Sequence, residues 1–111
     1  LAQSSNPGNA AFKANALTNA AVSVKAVPGV ASVLHCSNPS SNTAYVQFFD
    51  TIGAVTVGVT APKYFIGFTT QQSADAIMNV NFTAGIQIAA ATTATGAGAP
   101  DQALNCSLAF E

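Results

Sequence analysis

The side chains able to do chemistry are few. His35 is the only histidine. A metal centre would need further His or Cys at short spacing, and none stands near it, so a surface or interface histidine is expected. His35, one of the many serines, and Asp50 or Asp75 could be grouped into a Ser-His-Asp set. No nucleophile-elbow pattern accompanies them, and the grouping reads as coincidence. The acids are Asp50, Asp75, Asp101 and Glu111. A glycosidase needs two carboxylates facing across a cleft. These four read as a strand end, the polar side of a strand, a loop and the last residue. Turn and surface roles are expected for all four. No catalytic, cofactor-binding or metal residue is therefore expected, and no enzyme.

The two cysteines, Cys36 and Cys106, form neither a CxxC nor a zinc-spaced set. Both fall at inward positions of expected strands. Small buried thiols are the first expectation, and a disulfide tying an early strand to the last one is the alternative. Asn81-Phe82-Thr83 and Asn105-Cys106-Ser107 match the N-glycosylation pattern. In a chain rich in Asn, Ser and Thr, chance accounts for both. Gly96-Ala97-Gly98 lacks the Lys-Ser/Thr pair of a phosphate loop. The aromatic cluster Tyr45, Phe48, Phe49, Tyr64, Phe65 and Phe68 is expected to pack the core. Any exposed member would mark a subunit interface before a glycan site.

The elements that must carry these residues read as strands. A chain of 111 residues is one domain's worth and can bury roughly two-thirds of its unfolded surface. Apolar residues alternate with period two. Ala20, Val22, Val24 and Ala26 share a face, as do Ser32, Leu34 and Cys36. In Tyr45–Asp50, Val46 and Phe48 face one way and Tyr45, Gln47 and Phe49 the other. Val55, Val57 and Val59 alternate next. Tyr64–Thr69 is apolar on both faces, which predicts a strand covered on both sides. Ala74, Ala76, Met78, Val80 and Phe82 follow, then Ile86, Ile88 and Ala90, and finally Leu104, Cys106, Leu108 and Phe110. Asn38–Asn42 is a turn cluster, and Ala91–Pro100 reads as a flexible loop. About eight short antiparallel strands with closely spaced turns predict an all-β single domain, a β-sandwich or jelly roll. Residues 20–111 are assigned to it and residues 1–19 to an N-terminal arm, within which Ala11–Thr18 could form one helical turn.

Charge narrows the function classes. Three Lys, four acids and no Arg give a net charge of −1. Charged residues make up 6% of the chain, against about 25% in an average domain. Such a surface has no basic footprint for nucleic acid. No apolar run approaches the ~20 residues of a membrane helix, and no membrane partner is expected. No signal peptide is visible. The chain begins at Leu1 rather than Met, so an upstream segment is expected to exist or to have been removed. A surface of Ala, Ser, Thr, Asn and Gly suits a protein packed against copies of itself or a partner. An extracellular protein would look the same.

A series of local patterns adds a resemblance. They are Ser23-Val24-Lys25 with Pro28-Gly29; Val33-Leu34-His35-Cys36-Ser37-Asn38 and its polar turn; and Ala44-Tyr45-Val46-Gln47-Phe48-Phe49-Asp50. After these come Thr56-Val57-Gly58-Val59-Thr60-Ala61-Pro62, Ala84-Gly85-Ile86, the Ala/Thr/Gly loop with Asp101, and the apolar last strand. In order and spacing, residues 20–111 resemble a family of small structural proteins of tailed-bacteriophage virions. The family's Gly-rich turn near residues 70–73 reads Thr-Gln-Gln-Ser here. The resemblance implies a β-sandwich or jelly roll that assembles on the virion and carries no catalytic site. Members are head decoration (cement) proteins or parts of fibres and spikes.

The expectation is then a capsid decoration protein, a homotrimer bound to the major capsid protein on the outside of a phage head. Its residues Leu1–Ala16 would reach onto a neighbour. The alternative is a receptor- or glycan-binding domain of a tail or head fibre, using the Asn38–Asn42 and Ala91–Pro100 loops. Assembly in a reducing bacterial cytoplasm would leave Cys36 and Cys106 as free thiols.

Overall fold

A computed structural model describes residues 10–111. Eight strands run in the order β1 (Ala10–Leu17), β2 (Val22–Lys25), β3 (Gly29–Asn38), β4 (Ala44–Phe49), β5 (Tyr64–Phe68), β6 (Gln72–Phe82), β7 (Ile86–Ala91) and β8 (Leu104–Phe110). They form two antiparallel four-stranded sheets. Sheet A has the order β1-β8-β3-β6 and sheet B the order β2-β7-β4-β5. This is the strand order of an eight-stranded jelly roll, and the all-β sandwich expected from the alternation is what forms.

The core lies between the sheets. Leu34 and Cys36 of β3 and Leu104, Cys106 and Leu108 of β8 point in from sheet A. Val46 and Phe48 of β4 and Ile86 and Ile88 of β7 meet them from sheet B. Each large apolar side chain buried this way contributes about 1.5–3 kcal/mol. The outer face of sheet B is covered as well. Gln47, Phe49, Ala89 and Ala91 are fully buried there. The segments between β4 and β5 and between β7 and β8 are tied onto this face. Gln47 Nε2 donates to the carbonyls of Thr93 and Gly96 at 3.2 and 3.0 Å. Gln87 Nε2 donates to those of Thr51 and Gly53 at 3.0 and 2.7 Å. The two segments touch at Gly58, whose φ is +90°. A Cβ there would sit 2.6 Å from that of Ala97, so both the backbone angle and the space require glycine.

Several expectations change. Residues 10–17 are neither arm nor helical turn. They form β1, with Ala10 opposite Phe110 and Lys13 opposite Ser107, and Leu17 lies in the core. Period-two burial of Phe12 and Ala14 marks the strand, but Ala at every other position hides it in the sequence. The proposed arm therefore shrinks, and its residues 1–9 lie outside the described residues. Val55–Val59 is no strand. Val59 N and Thr60 N both donate to Thr56 O, at 2.9 and 2.8 Å, closing a turn. Val55 and Val57 are half-buried while Thr56 and Val59 are exposed, so the alternation reported burial without ladder pairing. β5, expected to be covered on both sides, is the edge of sheet B, with Phe65 48% exposed.

Two irregularities adjust the register. Ala31 faces Val80 but Val33 faces Ile77, so β6 carries an extra residue, and Asn79 takes a φ of 50°. Against β8 the extra residue is on β3, at Ser32. At this bulge Ala31 joins Leu34 and Cys36 in the apolar core, and Ser32 is buried as well. In the β5–β6 turn Gln71 takes a φ of 61°, the left-handed conformation that favours glycine. The turn is thus made at a non-glycine residue. Gln71 Nε2 compensates by donating to Pro39 O at 2.9 Å.

The cysteines are also corrected. Cys36 and Cys106 are directly opposed in the β3–β8 ladder and are joined by a disulfide, with Cα atoms 4.2 Å apart. Non-hydrogen-bonded antiparallel pairs approach to about this distance, which brings two inward cysteines within bonding reach.

Candidate functional site

Among the described residues, sheet A differs from sheet B in having no segment laid over its outer face. Alternation and register set its side chains in rows running across the strands β1, β8, β3 and β6. One row is apolar and small: Ala11, Ala109, Val33, Ile77. The next is Lys13, Ser107, His35, Asp75. The third holds Asn105, Ser37 and Ser73, with Ser73 Oγ donating to Ser37 Oγ at 3.1 Å. Lys13, Asn15, His35, Ser37, Asn105 and Ser107 line a shallow depression of about 240 Å³ on this face. Ile77 stands out from it at 78% exposure.

The middle row brings together the residues that sequence grouping put down to coincidence. His35 Nδ1 is bonded to Asp75, and Ser107 sits on the other side of His35 in the ladder. The order Ser-His-Asp across three strands matches a hydrolase triad in composition. Both side chains of the His35–Asp75 pair are more than half exposed. An acyl-transfer site also needs N–H donors aimed at an oxyanion. β3 and β8 each pair on both sides, so their main-chain N–H groups beside the row are used in the ladders. The row can present hydrogen-bonding groups and two opposite charges to whatever lies against it.

The other acids hold loops. Asp50, at the end of β4, accepts from the main-chain N–H groups of Thr83 at 2.9 Å, Ala84 at 2.8 Å and Gly85 at 3.4 Å. Thr83 Oγ1 at 3.1 Å and Lys63 Nζ at 3.3 Å complete the set. Desolvation pushes this carboxyl up, but the three main-chain donors and Lys63 outweigh it and hold it well below the ordinary carboxylate range. Lys63 Nζ also lies 5.4 Å from the centre of the Phe82 ring. Asp101 is bonded by Ser41 Oγ and by Ser41 N, the latter at 3.0 Å. The Ser41 hydroxyl, then its N–H, draw the Asp101 carboxyl down.

The loops expected to reach out are packed down. Buried Asn38 donates through Nδ2 to the carbonyls of Asn42 at 2.9 Å, Phe68 at 3.0 Å and Thr69 at 3.2 Å. Its Oδ1 accepts from Ser40 N and Ser40 Oγ at 3.1 and 2.7 Å. In Ala91–Pro100, Thr92 N donates to Gly98 O at 2.9 Å and Asn19 Nδ2 to Ala97 O at 2.9 Å. Of the aromatic cluster, Phe48, Phe49 and Phe68 are core. Tyr45 and Phe65 form an edge-to-face pair at 6.3 Å beside the free edge of sheet B. Asn81 and Asn105 of the two glycosylation patterns are exposed, Asn81 beside a second open depression with Lys25 and Glu111.

Sequence reasoning missed the open face because its rows exist only in register. Residues 13, 35, 75 and 107 have no sequence spacing in common. Comparison of the chain with family models, with curated proteins and with solved structures found no match to any of them.

Proposed function

We propose that the chain is a non-catalytic structural subunit of a phage virion, a decoration protein on the outside of the head that strengthens contacts between capsid subunits. One observation carries the reading. Of seven charged residues, Asp50, Asp101 and Lys63 are spent tying loops and Asp75 is bonded to His35. The rows on the open face of sheet A then carry only Lys13 and Asp75 as charges, and burying a charge at an interface is costly unless it is paired. Interfaces of standard size remove about 1,600 Å² from water, and many copies multiply the effect. Fold alone does not carry function, although jelly rolls recur in capsids and lectins. The disulfide fits a chain whose working life is spent in the particle outside the cell, where the bond persists once formed.

The second reading is a receptor- or glycan-binding module of a fibre. The Tyr45–Phe65 pair favours it, since Phe65 is 48% exposed at the sheet edge with half-buried Tyr45 against it, and an exposed ring can pack on the apolar face of a sugar. Copy number separates the two. The chain is to be quantified against the major capsid protein in particles purified from the phage that encodes it. A ratio near one is expected. A ratio of a few per cent or less overturns decoration in favour of a fibre, and absence from the particle removes both.

A further inference from the structure

We propose that the open face of sheet A is a two-fold interface with a second copy of this chain; the inference rests on reading the chain as an assembly subunit. The outer face of sheet B is covered by its own loops over β4 and β7, and among the described residues none covers that of sheet A. The rows on sheet A are complementary to themselves. Place a second copy face to face, with the dyad parallel to the strands and passing between β8 and β3. In the middle row Lys13 of each copy then meets Asp75 of the other, and His35 meets Ser107. In the apolar row small Ala11 meets prominent Ile77, and Ala109 meets Val33. In the third row Asn105 meets Ser37. Each contact occurs twice, as an isologous interface requires, and no like charges are opposed. A dyad across the strands would instead lay Lys13 beside Lys13 and Asp75 beside Asp75. The strands of the two copies stay nearly aligned, the usual arrangement of face-packed sheets.

Size sets the affinity. Strands about 4.8 Å apart, with same-face residues about 7 Å apart along them, make the face roughly 400 Å² per copy. The total of about 800 Å² lies below the standard interface and within the weak, transient class. The dimer should therefore form between roughly 10 µM and 1 mM, and local concentration on a particle would favour it.

Charge reversal tests the pairing. Sedimentation equilibrium of the full chain at low ionic strength should show a monomer–dimer equilibrium that weakens with added salt. Lys13→Asp alone or Asp75→Lys alone should each weaken it about tenfold or more, because two exposed attractions become two repulsions. Mixing the two single variants should restore a heterodimer, and the double variant K13D/D75K should restore the homodimer. Neither recovery is open to a variant that has misfolded. A monomer throughout this range overturns the proposal, as does a dimer or trimer indifferent to all of these changes. The particle copy number reads independently. A monomer in solution at a ratio near one removes the dyad and keeps decoration, whereas a reversal-sensitive dimer absent from particles does the opposite.

Discussion

Asp50 is a single residue on which three strand ends depend. It closes β4, and its two oxygens collect the N–H groups that begin the β6–β7 connection while Lys63, just before β5, leans onto it. Hydrogen bonds to a charged group contribute about 1.5–3 kcal/mol. Asp50→Asn should cost about 1–3 kcal/mol at pH 7 by chemical denaturation. The pH dependence has a definite sign. The folded carboxyl lies below its ordinary value of 3.8, so the unfolded chain binds the proton first. The stability Asp50 contributes is complete above about pH 4 and falls as the pH drops through the folded value. The wild type should lose stability steeply below pH 4 and Asp50→Asn should lose less, so that the two curves converge in acid. Parallel curves would show that the carboxylate does not hold this corner. From the sequence Asp50 was legible as a turn residue after an aromatic strand. Its partners at Thr83–Gly85 were not, because 33 residues separate them.

At the scale of elements, alternation located β2, β3, β4, β6, β7 and β8 because each carries apolar residues on one face, and the run Tyr64–Thr69, apolar on both faces, located β5. Alternation failed at β1 and at Val55–Val59 for opposite reasons. In β1, Phe12 is the one large inward residue before Leu17 and Ala fills the rest, so the pattern is faint although the ladder to β8 is long. In Val55–Val59 the pattern is strong, but it falls on a loop in which Val55 and Val57 are half-buried and Val59 is 81% exposed. Periodicity reads burial, and strand pairing must be supplied by a neighbour that the sequence does not identify. β1 is nonetheless part of the domain, and Leu17 tests this. Leu17 is 1% exposed, and Leu17→Ala removes a core side chain at about 2–5 kcal/mol. The measured change in unfolding free energy should fall in that range. A change below 0.5 kcal/mol would return residues 10–17 to the role of a dispensable arm.

At the scale of the whole molecule, the disulfide connects fold to compartment. It closes a 70-residue separation between two strands already paired in the middle of sheet A. By loop-closure entropy a bridge of that span contributes up to about 4 kcal/mol, mostly by restricting the unfolded chain. Much of a small domain's net stability of ~5–15 kcal/mol would then depend on the bond. The core around it is complete without the bond: Leu34, Leu104 and Leu108 flank the pair and Phe48 belongs to the same cluster. The reduced chain should therefore fold, and C36S/C106S should be native-like but weaker by no more than about 4 kcal/mol. On the decoration reading, assembly takes place in a bacterial cytoplasm, where glutathione keeps thiols reduced. A chain assembled inside the cell and released on a particle would gain the bond only outside, where dissolved oxygen takes up the two electrons and two protons. Thiol trapping at lysis, followed by intact mass, checks this directly. Intracellular chain should take up two alkyl groups. Chain from released particles should take up none and weigh two hydrogens less than the reduced form. A bond already present inside the cell would place folding in an oxidising compartment, which a phage head does not pass through, and would turn the reading of the whole molecule toward an exported protein.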